Sequence, residues 1–383
     1  MSTGLIDLES SSPGQLPILE RRSIQRKMKL TKAARYLGAM LLFVLTAWIL
    51  LLAFPKRQHY ISITHDFGIG FDLSPSYATV AVSYPNGTIQ PIARVEGDEV
   101  YRKMMVRLSL SSSQHLHQPY QDVGEAIGDS ARQLVRDTRK KLGLPSSRDV
   151  ATLCNMLRAL RDQASSFVGE PVSAAAISVP HLAALYGEDL YDAFEYLSLV
   201  YVEFFPFYDF RPIPAAIAAY AGNGLGLCAD YRDAAACEEE ELHISSLFAL
   251  AVGYTHTGLT TSQAHVSSAY YLEETPTLEN MHLGYDARCG FDSYWEAVRQ
   301  YLERPMVTSP VQRNISMVVL FGDAVEKPEF REVLKQAIGV IGGEPEIVDH
   351  QPEFSAAKGT AELAKRAIYR QMKGLNITSE SEL

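Results

Sequence analysis

The strongest candidate for chemistry in this sequence is an acid that stands beside a hydroxyl-rich turn. Asp72 lies near the end of a short apolar run, and Ser74-Pro75-Ser76 follows it at once. A second run begins at Tyr77, so the pattern predicts a β-hairpin. One edge of the predicted sheet therefore carries a carboxylate next to two serine hydroxyls.

A second turn of the same plan occurs later in the chain. An apolar strand within residues 246–266 reaches Gly253-Tyr254-Thr255-His256-Thr257-Gly258, and an alternating strand follows. This repetition of the strand-turn-strand pattern predicts that the folded chain has two related halves. His256 could face a phosphate, but we expect an exposed or internally satisfied turn histidine.

The cysteines favour a disulfide over a metal site. Cys154, Cys228, Cys237 and Cys289 include no Cys-x-x-Cys pair and no Cys/His spacing typical of structural zinc. Four cysteines allow three pairings. We favour Cys228–Cys237, which would close a small loop of polar residues, over a set of free or buried thiols.

Composition indicates a folded chain with an acidic body. The 383 residues are 47% hydrophobic and 21% charged, which suffices for one large core or two ordinary ones. The net charge is −10, but residues 1–57 hold nine Lys/Arg and three Asp/Glu, so the remainder has 26 basic and 42 acidic side chains. This balance of −16 argues against nucleic acid as the partner of the folded part, because phosphate binding needs a basic face.

The basic residues at the front flank a candidate membrane span. Residues 36–54 carry no charge, and nineteen residues at about 1.5 Å each nearly cover the ~30 Å hydrocarbon core. Seven Lys/Arg precede the span between positions 21 and 35, which places residues 1–35 in the cytosol. A cleaved signal peptide is the alternative, disfavoured by the length of the apolar stretch. We therefore expect a single-pass type II membrane protein, with its folded domain in the endoplasmic reticulum or Golgi lumen or outside the cell.

Glycosylation patterns agree with that orientation. Asn86, Asn314 and Asn376 each begin an Asn-x-Ser/Thr pattern, and none precedes the span. Asn86 belongs to the turn after the second strand, where a glycan would protrude. An oxidising lumen would also permit the Cys228–Cys237 disulfide.

Beyond the first hairpin, strand-like and helical patterns alternate. The small side chains of residues 212–221 would let that helix lie close to neighbouring backbone. Helices are predicted at 123–141 (after a strand-like start), 151–167, 183–204, 212–221, 291–302, 329–338 and 355–373, and buried strands at 172–179 and 317–321.

In this order, the segments resemble the nucleotide-binding domain of the 70-kDa heat-shock proteins, within the actin-like ATPase superfamily. GFDLSPSYATVAV looks like the first phosphate loop, AVGYTHTG like the second, and VVLFGD like the adenosine strand. PIPAAIAAYAGN and PEFSAAKGTAELAK resemble the two connecting helices. The resemblance covers about residues 68–373 and implies a two-lobed α/β, ribonuclease H-like fold with mixed sheets that close over a nucleotide.

The expected organisation places this fold after a single transmembrane helix. The family's peptide-binding domain is not expected, because the chain stops soon after the second connecting helix. The predicted parts are a disordered basic tail (1–35), the span (36–54), a linker (55–65), lobe I (66–221), lobe II with a closing helix that returns to lobe I (222–373), and a tail (374–383).

The resemblance also assigns site residues. Asp72 occupies the position whose carboxylate helps to hold hydrated magnesium, so ATP with magnesium is the implied cofactor. The implied nucleotide-binding residues are Asp72, Ser74, Ser76, Gly253, Thr255, Gly322 and Asp323.

Several positions depart from what the resemblance requires. Pro75 has no N–H to donate, Tyr254 and Thr255 stand where glycines belong, and Ala251 and Ile213 stand where acids belong. Phosphoryl transfer depends on backbone donors and charge around the phosphates, and these changes remove both. We therefore favour a pseudo-ATPase that binds or scaffolds a protein partner. The alternatives are an active lumenal ATP-binding or ATP-hydrolysing chaperone-like protein and, less favoured for want of an Asp-x-Asp motif, a Golgi-type glycosyltransferase.

Overall fold

A computed structural model describes most of the chain beyond the predicted span. It covers residues 63, 65–203, 212–274, 277–290, 292–308, 315–341 and 344–373, together with seven helical residues between positions 36 and 46. Most of the predicted span therefore lies outside the described residues. Among those that are described, no helix is long and apolar enough to cross a membrane.

The first sheet grows from the hairpin at Gly68. Its strands are β1 (Gly68–Leu73), β2 (Tyr77–Ser83), β3 (Ile89–Glu96), β4 (Ala174–Val179), β5 (Val200–Tyr201) and β6 (Ile213–Pro214). The order is β3-β2-β1-β4-β5, with β6 also paired to β4. β1, β2 and β3 run antiparallel, whereas β4 is parallel to β1, β5 and β6. The predicted hairpin at Ser74–Ser76 is confirmed.

The second sheet repeats this arrangement. Its strands are β7 (Leu247–Tyr254), β8 (Leu259–Ser268), β9 (Tyr271–Glu274), β10 (Leu278–Asn280), β11 (Met317–Phe321) and β12 (Glu346–Val348). The order β10-β8-β7-β11-β12 has two antiparallel pairings followed by two parallel ones, as in the first sheet. The molecule is an α/β protein with two mixed sheets, and the predicted relation between its halves is confirmed in strand order.

The helices correct the sequence interpretation in four places, one of which is an unpredicted helix at Glu99–Leu108. The prediction of one helix over 183–204 is wrong, because the chain turns at Ser198, which has a left-handed φ of 53°, and then enters β5. The cysteine loop contains an unpredicted helix, and the strand-like start at Val123 is helical and capped by Asp122. The helices are α1 (Glu99–Leu108), α2 (Val123–Lys141), α3 (Arg148–Val168), α4 (Gly187–Tyr196), α5 (Ala215–Gly222), α6 (Ala234–Leu242), α7 (Tyr294–Thr308), α8 (Pro328–Ile341) and α9 (Ser355–Met372).

Three large cores arrange these elements in layers. One core joins the outer face of the first sheet to α1, α3 and α4, and another joins the second sheet to α7 and α8. Between the sheets, α5 and α9 share a third core with residues of β4, β7 and β11. Every residue of α9 from Ser355 to Ile368 is buried.

The two inner helices touch through their backbones. A Cβ placed on Gly222 of α5 would lie 1.8 Å from the Ser355 carbonyl oxygen, and one placed on Gly359 of α9 would lie 1.8 Å from that of Ala218. Only glycine permits this approach. The predicted close packing of the Ala-rich helix is confirmed.

Candidate functional site

Asp72 lies on β1 directly opposite Ser178 of β4. The Ser178 hydroxyl donates to Asp72 Oδ1 at 2.7 Å, and the aspartate is 4% exposed. Burial raises the pKa of Asp72 to about 7, and the Ser178 hydrogen bond opposes this only in part. Ile213, where the resemblance expects an acid, pairs with Ser178 on the next strand. The carboxyl group is therefore partly protonated at neutral pH, with an apolar residue in place of a second carboxylate.

The first turn is buried along its whole length. The N–H of Ser74 donates to the Tyr77 carbonyl at 2.9 Å, and the Tyr101 hydroxyl donates to the Ser74 carbonyl at 2.9 Å. The Ser76 carbonyl accepts the N–H of Gly97 at 2.8 Å. Ser74 and Ser76 are 9% and 6% exposed. The turn is therefore held by the protein's own backbone groups, while the buried Ser76 hydroxyl has no hydrogen-bond partner in the described structure.

The backbone N–H groups of the second turn form hydrogen bonds within the protein. The N–H of Thr255 donates to the Gly258 carbonyl at 2.9 Å. Thr255 Oγ1 accepts the N–H of Gly258 at 3.0 Å and that of Thr257 at 3.3 Å. The remaining N–H, of His256, donates to Asp323 Oδ1 at 3.1 Å. All four N–H groups from Thr255 to Gly258 thus have acceptors within the protein.

Asp323 reaches the second turn from the end of β11. Gly322 before it has a φ of +106°, and a Cβ there would lie 2.4 Å from the Tyr254 carbonyl oxygen, so glycine is required. The Asp323 side chain is 4% exposed. Burial raises the pKa of Asp323, while Arg94 and the N–H of His256 act in the opposite direction. The buried carboxylate of Asp323 therefore binds the N–H of His256, the donor that would be available to a bound anion at this turn.

Arg94 joins the two sheets and was not among the predicted residues. It projects from β3, pairs with Asp323 at 3.0 Å and also binds Glu353, which precedes α9. Its guanidinium lies 4.1 Å from the centre of the Tyr77 ring, at the first turn. Arg94 also pairs with Glu96 two residues away, at 2.7 Å. No local pattern reveals its role between the sheets, because Asp323 and Glu353 are 229 and 259 residues away in sequence.

These contacts do not fit the implied magnesium nucleotide. Close backbone donors and oxygen ligands are needed around the phosphates and the ion, and the N–H donors of the second turn are satisfied internally. Gly253 does not leave room either, since a Cβ on it would lie 2.5 Å from the Phe321 ring. In the described part of the chain, one group of three potential metal-ligating side chains lies close together, Cys228, Cys237 and Glu241, and its cysteines are bonded to each other.

A small cavity lies beside these turns, between the ends of β4 and β11 and the strand β8. Its walls are apolar and hydroxyl-bearing, apart from His181 and Gln263. The lining residues are Pro180, His181, Pro214, Ala215, Ala216, Thr260, Ser262, Gln263, Thr277 and Phe321.

The predicted Cys228–Cys237 disulfide is confirmed, and Cys154 and Cys289 are free. The bridge is tied to α9, since Arg366 donates to the Cys228 carbonyl at 2.9 Å. Arg366 also pairs with buried Glu362 at 2.8 Å. The cysteine loop is thereby attached to the inner helix layer, away from the two turns.

Of the three predicted glycosylation positions, the structure describes Asn86 alone. Asn86 is exposed at the turn between β2 and β3, where its side-chain oxygen accepts the N–H of Thr88 at 2.9 Å. Asn314 and Asn376 lie outside the described residues.

The structure thus places Asp72, Ser74 and Ser76 at the first turn and Thr255 and Asp323 at the second, and Arg94 contacts both Tyr77 and Asp323. Comparison with known proteins adds no family: no protein-family model matches the chain, and no curated protein is significantly similar to it.

Proposed function

We propose that this chain is a membrane-anchored, heat-shock-70-like protein of the actin-like ATPase superfamily with a degenerate nucleotide site. In this proposal it is a binding or scaffold module of the secretory pathway, in the endoplasmic reticulum or Golgi lumen or outside the cell. The repeated strand order and the two inner helices support the two-lobed fold that the resemblance implies. The disulfide and the exposed Asn86 support a lumenal location.

One observation is the main support for the proposed loss of nucleotide binding and hydrolysis. The N–H of His256, at the turn that resembles the second phosphate loop, is bound to Asp323, which is itself paired with Arg94. A triphosphate would have to displace a buried carboxylate and break this ion pair. Removing the buried Asp323 carboxylate from its donors costs free energy, because the carboxylate loses both the Arg94 cation and the N–H of His256. Nucleotide binding at this turn would therefore be weak.

Isothermal titration calorimetry of the purified protein with ATP, ADP and magnesium tests the proposal. We expect no saturable heat at millimolar nucleotide, and no turnover of ATP above the rate of the Asp72→Ala variant. Exposed Asp162 provides a matched control, since Asp162→Ala changes the same residue type away from the turns.

Saturable, magnesium-dependent binding that Asp72→Ala abolishes and Asp162→Ala leaves intact would overturn this proposal. It would favour the alternative, an active lumenal ATP-binding or ATP-hydrolysing chaperone-like protein.

A further inference from the structure

Helix α2 faces the body of the protein with charged rather than apolar side chains. Its buried residues are Asp129 and Arg136. Arg136 donates to Asp189 at 2.7 Å and to Asp192 at 2.6 Å, both on α4, and Lys140 pairs with Asp192 at 2.7 Å. Ion pairs therefore attach α2 to the fold, where a surface helix ordinarily uses an apolar stripe.

The opposite side of α2 is apolar and exposed. At 3.6 residues per turn, the apolar and small side chains share one face, about 180° from Arg136. Val123 is 74% exposed, Ile127 69%, Leu134 45% and Leu142 60%. None of these side chains is buried by any residue that the structure describes. We define the α2 face as Val123, Ile127, Ala131, Leu134, Thr138 and Leu142.

We propose that the α2 face binds the α2 face of a second copy of this chain, with the two helices antiparallel about a twofold axis. The spacing is self-complementary in that arrangement. Val123 faces Leu142, Ile127 faces Thr138, and Ala131 faces Leu134, so that each large side chain meets a smaller or similar one. An isologous interface requires this symmetry.

The charges along α2 also favour a second copy of this chain as the partner of the α2 face. Asp122 is exposed at the beginning of α2, and Lys141 is exposed at its end. In the antiparallel pair each Lys141 lies level with Gly124 of the other copy, about 3 Å along the axis from Asp122. Symmetry therefore brings the acidic beginning of each helix level with the basic end of the other, and the helix dipoles also oppose each other favourably. A lipid surface is the poorer match, since the exposed Asp137 flanks the apolar residues.

Substitutions on the face test the proposal through the oligomeric state of the full chain. We expect a concentration-dependent dimer in mild detergent by light scattering and sedimentation. Ile127→Glu and Leu134→Glu place like charges in the interface and are expected to weaken the dimer by roughly tenfold or more. Leu242→Glu on α6 (79% exposed) and Val340→Glu on α8 (62% exposed) are matched controls that should leave it unchanged.

Cysteine cross-linking in membranes tests the antiparallel register. In a Cys289→Ser background, Ala131→Cys lies next to the twofold axis and should form an intermolecular disulfide, whereas Leu242→Cys should not. A mixture of Val123→Cys and Leu142→Cys chains should cross-link more than either variant alone.

A monomer at all concentrations would overturn the proposal. So would a dimer that α2 substitutions weaken no more than the controls do, since it would be held elsewhere, and so would a monomer that binds lipid vesicles through Ile127 and Leu134.

Discussion

Asp72 couples the stability of the fold to pH. The folded protein holds the Asp72 proton up to about pH 7, because burial raises its pKa to about 7 from an ordinary value of 3.8. The unfolded chain releases the proton near pH 4. Because the folded state binds more protons between these values, its stability falls as pH rises from about 4 to about 7, and then stays at the lower level. The full difference is about 4 kcal/mol.

The Asp72→Asn variant removes this titration. Between pH 5 and pH 8, wild type should lose more unfolding free energy than Asp72→Asn, by roughly 2–3 kcal/mol. Urea unfolding at the two pH values measures the difference. Burial also raises the pKa of Glu279, to about 8, but that group contributes equally to both proteins.

Exposed Asp162 supplies the control, because Asp162→Asn should follow the pH dependence of wild type. If Asp72→Asn loses as much stability as wild type does, then Asp72 is ionised in the folded protein and the burial argument fails.

At the scale of elements, the crossing of α5 and α9 constrains the space between the sheets. Gly359→Ala would place a methyl group against the Ala218 carbonyl, and neither backbone can yield without the helices separating. We expect a loss of roughly 3 kcal/mol, at the upper end of the range for overpacked cores. Urea unfolding of the variant measures it.

Gly339 is the matched control for this substitution. It is an exposed residue of α8, and a Cβ added to it would have no atom within 4 Å, so Gly339→Ala should stabilise by about 0.5–1 kcal/mol through helix propensity. Equal effects at the two glycines would mean that α5 and α9 do not touch through their backbones.

Helix α2 shows why element type and element orientation are separate problems. Its 3.6-residue pattern predicts a helix, and the helix forms. The same pattern, read with the usual rule, would turn the apolar residues inward. The acids of α4 reverse this, because they supply partners for Arg136 and Lys140 on the opposite side.

At the scale of the whole molecule, the proposed orientation across a membrane makes Asn86 a glycan acceptor. In cells, glycosidase treatment should lower the apparent mass of the protein, and Asn86→Gln should remove one step of that change. Asn155, exposed on α3 outside any acceptor pattern, gives the control Asn155→Gln, which should leave the glycans unchanged. A full-length protein with no glycosidase-sensitive mass would contradict the lumenal location.

Local patterns in the sequence determined much of the architecture. Period-two apolar runs separated by turn residues predicted both hairpins, and a run of small residues predicted a closely packed helix, because these features depend on neighbours within a few positions. The short separation of Cys228 and Cys237 made their pairing favoured for the same reason. The departures from the family pattern at Pro75, Ala251 and Ile213 were also visible in the sequence. Proline has no N–H to donate, and alanine and isoleucine have no carboxylate.

Only the tertiary structure decided what fills the region between the turns. The resemblance implied that Asp323 binds a nucleotide, whereas the fold brings Arg94 and the N–H of His256 to it. It likewise decided that α4 ends at Tyr196 and that α2 turns its apolar side outward. These outcomes depend on charges and backbone groups that are far apart in the chain and become neighbours only when both sheets have formed.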